Sequence, residues 1–66
     1  MKTRIKFNNR KFDLALARSK LSVSELASSA GVGRNSIYNV RDKGVLPIIA
    51  GKIAEALGVD VADITV

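Results

Sequence analysis

The chain contains no cysteine and no histidine. Without them there is no disulfide framework and no usual zinc-ligand set to compensate for a small core. A side-chain nucleophile is likewise left without its usual base. Long apolar runs are also missing. The longest, Val45 to Ala50, contains Pro47 and falls far short of the roughly 20 residues that a membrane-spanning helix needs. The opening MKTRIKFNNRK is charged but has no apolar stretch behind it, so it does not read as a secretory signal. These absences point to a soluble, cytoplasmic protein without a membrane partner, stabilised by helix packing and, as a second source, by dimerisation.

What is present bounds the chain further. Sixty-six residues read as one domain, and a folded chain this short hides only about 60% of the surface it exposes when unfolded. Eleven Lys and Arg face six Asp and Glu, a net charge of +5. The excess is concentrated: residues 1–20 hold seven basic side chains against Asp13, whereas residues 44–66 hold Lys52 against three acids. A basic N-terminal third suggests a polyanionic partner, with a merely solvated surface as the plain alternative.

Taken in order, residues 1–8 form a basic N-terminal arm or a short β-strand. Lys2, Arg4 and Lys6 alternate with Thr3, Ile5 and Phe7, a period of two that predicts a strand. A lone strand needs a partner; the candidates are Ile64, Thr65 and Val66, or the same strand in a second copy. Asn8 and Asn9 supply cap chemistry for a helix over about Arg10 to Ser19, with Phe12, Ala15, Leu16 and Ser19 as its inner stripe and Leu14 off it. Ser22-Val23-Ser24-Glu25 is a capping box that starts a second helix at Val23. Leu26, Ala27 and Ala30 form its inner face, and Gly31 stops it. A third helix is predicted over about Arg34 to Asp42, with Ile37 and Val40 inward. Pro47 suits the first turn of a fourth helix whose stripe is Ile49, Ile53, Ala54 and Leu57, closed by Gly58. Gly51 inside that helix predicts close approach to another backbone. Asp60 caps a last short helix, from Val61 to about Ile64.

The second and third helices meet the requirements of a helix-turn-helix pair: a small residue at Ala27, a glycine turn at Gly31, a plug at Val32, and Ile37 and Val40 facing inward on the second helix. A plain αα-hairpin has the same packing needs. The outward residues, Arg34, Asn35, Tyr38 and Asn39, are what point beyond it. Arg pairs bidentately with guanine and Asn with adenine, each pairing giving about 1–3 kcal/mol of discrimination.

With these residues in place, the sequence resembles the Cro/CI-like (XRE) family of helix-turn-helix regulators over about residues 9–64. LSVSELASSAGVGRNSIYNV is similar to the family's second and third helices, and AGKIAEALGVDVADI to its fourth and fifth. The resemblance implies a compact, all-α, five-helix lambda-repressor-like domain over residues 9–66 that binds double-stranded DNA as a homodimer. By position it implies base reading by Arg34, Asn35 and Asn39. Tyr38 matches a position that contacts a thymine methyl or the DNA backbone; its ring has the alternative of covering the helix surface. Phosphate contacts are expected from Ser24, Ser36, Arg41, Lys43, the first amides of the second helix and the basic N-terminal segment. The chain departs from the family pattern where Val23 replaces a phosphate-clamping glutamine, where Gly33 replaces a Ser or Thr, and where Arg41 replaces an acid.

No catalytic reading stands beside this one. Glu25, Glu55, Asp60 and Asp63 are accounted for by caps or exposed helix positions. Gly44, Gly51 and Lys52 lack phosphate-loop spacing, and Ile53 stands where that loop carries its metal-binding hydroxyl. The sequence therefore predicts a transcriptional regulator, a repressor of phage or mobile-element type by resemblance, with no enzyme activity, cofactor, metal or small-molecule ligand. The second reading is a protein-binding module, such as an antitoxin or anti-repressor. It would dock through an apolar patch of Leu14, Val45, Leu46 and Ile48, which would equally serve homodimerisation.

Overall fold

Side-chain caps fix where three of the five helices begin. In the computed structural model, which describes residues 4–40 and 42–65, helix α1 (Asn9–Ser19) follows Asn8, whose Oδ1 accepts the Lys11 amide at 3.0 Å. Helix α2 (Val23–Ala30) follows Ser22. The Ser22 Oγ accepts the Glu25 amide at 3.1 Å, and the Glu25 carboxylate accepts the Ser22 amide at 2.9 Å. The last helix, α5 (Val61–Ile64), has the same reciprocal arrangement between Asp60 and Asp63. Between them lie α3 (Arg34–Asn39) and α4 (Pro47–Leu57), whose N-caps, Gly33 and Leu46, offer no side-chain hydrogen bond. The result is an all-α domain of five helices, with no sheet among the described residues.

Helix α4 packs on α2, α1 and α5. It buries Ala50, Ile53, Ala54 and Leu57, spaced i, i+3, i+4 and i+7 along one face. Compared with the expected stripe, Ala50 is fully enclosed and Ile49 is half-buried. Ala27 on α2 and Ala50 and Ala54 on α4 are all buried, and their small side chains let the packed helices approach closely. Phe12, Leu26, Ile37, Ile53, Ile64 and Val40 fill the centre. None of the helices built from described residues is long and apolar enough to cross a membrane.

Four expectations are corrected. The N-terminal segment alternates as expected, but it makes two isolated antiparallel bridges, Ile5 with Val45 and Phe7 with Thr65, rather than a strand. Thr65 is among the partners the alternation predicts and Val45 is not; Met1 to Thr3 and Val66 lie outside the described residues. Helix α3 ends at Asn39, three residues early, because the Asn39 carbonyl accepts the amides of Asp42 (3.1 Å) and Gly44 (2.7 Å) in a turn. Val45 is not part of an exposed patch: it is 4% exposed and packs in the core.

The crowded glycine is also not the expected one. A Cβ at Gly51 would meet nothing within 4 Å, whereas one at Gly44 would lie 2.9 Å from the Ile5 carbonyl oxygen. Gly44 also has φ +81°, a region that costs a residue with a Cβ about 1–2 kcal/mol. The close backbone approach is therefore at Gly44, between the α3–α4 turn and the N-terminal segment.

Candidate nucleic-acid interface

The α2–α3 junction begins at Gly31, which ends α2 in the left-handed conformation at φ +71°. The next amide, Val32, donates to the Ala27 carbonyl at 3.0 Å, so the turn satisfies carbonyls that the helix end leaves open. Val32 is half-buried against the core, in the plug position that the sequence indicates. Beyond Gly33, α3 docks through two side chains, Ile37 (2% exposed) and Val40 at its C-cap (0% exposed).

That anchorage decides what the rest of α3 presents. At about 100° of rotation per residue, Arg34, Tyr38, Asn35 and Asn39 occupy an arc of about 140°, with Ile37 and Val40 on the opposite side. Arg34 and Asn35 are exposed, and Tyr38 is 60% exposed. Asn39 is half-buried at the edge of the arc, less outward than expected, because the turn to Gly44 folds back over its carbonyl. Arg34, Asn35 and Tyr38 make no side-chain hydrogen bond to another described residue, so their donors and acceptors face solvent.

Tyr38 serves two environments. Its ring helps line a cavity of about 120 Å³ with Phe12, Leu16, Val23 and Ile37, while most of its surface is exposed. An aromatic ring with a polar tip suits such a boundary. The same cavity explains Val23 in structural terms: at the first position of α2 it supplies an apolar wall at the α1–α2–α3 junction.

The expected phosphate contacts fall in different settings. Ser24 is exposed in the first turn of α2, and Ser36 is half-buried with its amide donating to the Gly33 carbonyl at 3.0 Å. At the α2 N-terminus the Glu25 carboxylate already accepts the Ser22 amide, which holds its pKa below the ordinary glutamate value. A negative charge there opposes a phosphate, so the α2 amides are a poorer anion site than a helix start without a carboxylate. Lys43 is exposed just after α3; Arg41 lies outside the described residues.

Two basic residues were legible only as part of a segment, and the structure brings them individually to Lys43. Arg4 Nη1 donates to the Gly44 carbonyl at 3.2 Å. Lys6 passes over Gly44, its Cγ 3.2 Å from where a Cβ would stand. The signal for both was the alternation of Arg4 and Lys6 with Ile5 and Phe7; the missing piece was Gly44 as their landing point. Comparison of the chain with protein-family models, curated proteins and solved structures finds no match.

Proposed function

We propose that the chain is a sequence-specific DNA-binding transcriptional regulator, acting in the cytoplasm, that reads the major groove with α3. The observation that carries the reading is the exposed arc of Arg34, Asn35 and Tyr38 on a short helix fixed from behind by Ile37 and Val40. Six residues of helix span about 9 Å, which a major groove about 12 Å wide admits. Arg and Asn are the side chains that pair bidentately with guanine and adenine. The exposed Arg4, Lys6 and Lys43 supply sequence-independent attraction to the phosphates. Repression is the simplest mode for such a domain: occupancy of the site excludes other proteins from it.

The reading includes a homodimer on a two-fold symmetric site, with recognition helices about 34 Å apart. Ile48 (67% exposed), Leu14 (54%) and Leu46 (38%) are apolar groups that a second copy would cover. The same three side chains favour the alternative, a module that docks another protein. The polar arc of α3 weighs against it, because protein interfaces concentrate aromatic and aliphatic anchors.

The test is a titration of genomic fragments at several salt concentrations with wild type and with Arg34→Ala combined with Asn35→Ala. Wild type is expected to prefer some fragments, and the double variant to lose that preference while retaining salt-dependent binding. No DNA binding at micromolar protein would end the proposal.

A further inference from the structure

The strongest feature outside the α3 arc is a cavity of about 590 Å³ lined by Arg4, Ile5, Lys6, Lys43, Val61 and Thr65. Three of these six are basic and none is acidic. The cations come from two distant parts of the chain, and backbone pairing brings them together. The Ile5 amide donates to the Val45 carbonyl at 2.8 Å, and the Val45 amide returns to Ile5 at 2.9 Å. The Phe7 amide donates to the Val40 carbonyl at 2.9 Å and the Asn8 amide to the Ile64 carbonyl at 2.8 Å. Phe7 itself is buried against Phe12. Residues 5–8 are thus a strap laid on the body of the domain, with the side chains of Arg4 and Lys6 exposed beside Lys43.

We infer that this groove is a phosphate-binding site for the backbone of duplex DNA, separate from the base-reading arc. The inference rests on the proposed DNA reading, and Lys43, which lines the groove, follows the end of α3 by four residues. Arg4 uses one N–H on the Gly44 carbonyl, and a guanidinium has five, so donors remain for a phosphodiester oxygen. Lys6 and Lys43 add two mobile ammonium groups. Because the strap is already pinned, little ordering accompanies binding, unlike a free basic arm. Gly44 is the key to the site: its carbonyl seats Arg4, and its missing Cβ makes room for Ile5 and Lys6.

The test measures the salt dependence of binding to a mixed-sequence 20-base-pair duplex. Log Kobs against log salt has a slope of about −0.9 per phosphate neutralised. The triple variant Arg4→Ala, Lys6→Ala, Lys43→Ala is expected to lower the magnitude of that slope by up to about 3, equally on preferred and unpreferred duplexes. A control, Lys11→Ala, Arg18→Ala, Lys52→Ala, removes the same charge, from +5 to +2, and is expected to leave the slope near wild type. Lys43→Gln alone, which leaves the strap intact, is expected to lower it by about 1, so the site is tested even where the triple variant does not fold. Equal slope losses in the triple variant and its control overturn the site, as does an unchanged slope for a folded triple variant or for Lys43→Gln. Selective loss of slope in a protein without fragment preference supports the groove while refuting base reading by α3. Fragment preference with no groove effect does the reverse.

Discussion

Glu25 shows how one side chain both starts a helix and limits what else can happen there. Its carboxylate accepts the Ser22 amide, which lowers its pKa although the group is fully exposed. A lowered folded-state pKa gives stability that is present above the ordinary glutamate value, about 4.3, and lost as pH falls through the lowered one. Glu25→Gln keeps an acceptor oxygen but removes the titration. Thermal melts between pH 5 and pH 3 are expected to fall less steeply for Glu25→Gln than for wild type; parallel curves would contradict the assignment. This capping box was fully legible, because a cap depends on residues three apart in sequence. Lys20 was not. It ends α1 in the left-handed conformation at φ +58°, a position where sequence signals point to glycine or asparagine, and here the chain's need to turn into α2 overrides local preference.

At the scale of elements, the two glycines Gly44 and Gly51 give opposite expectations. Gly44→Ala places a Cβ in the left-handed region and 2.9 Å from the Ile5 oxygen, which is expected to cost about 2 kcal/mol or more. Gly51→Ala fills open space within α4 and is expected to stabilise by about 0.5–1 kcal/mol through helix propensity. Urea denaturation of the two variants checks both signs; a neutral Gly44→Ala would mean that the strap is not seated as described. The sequence led to the wrong glycine because a helix-interior glycine is a local anomaly, whereas the crowding at Gly44 comes from a segment 39 residues away. The strap has the same history: its alternation is local and was legible, but its pairing with Val45 is a tertiary fact. The end of α3 was missed for a related reason, since Val40 continues the apolar spacing of α3 although it sits at the C-cap.

Across the whole molecule, five helices, their order and their inner faces follow from spacing and caps, and the core they predict is close to the one observed. The candidate site divides differently. Arg34, Asn35 and Tyr38 were legible as outward positions because Ile37 and Val40 fix the face of α3; the meeting of Arg4, Lys6 and Lys43 was not, because it requires the fold. The molecule has two polar surfaces with separate tasks in the proposed account, an arc that selects bases and a basic groove that holds phosphates. The most direct test of the central claim is selection of duplexes from a random-sequence pool by wild type and by Asn35→Ala. Wild type is expected to enrich a short motif, and Asn35→Ala to relax selection at a particular adenine position, a loss of about 1–3 kcal/mol of discrimination. A wild-type pool that stays random through successive rounds, at salt low enough for binding, would contradict that claim.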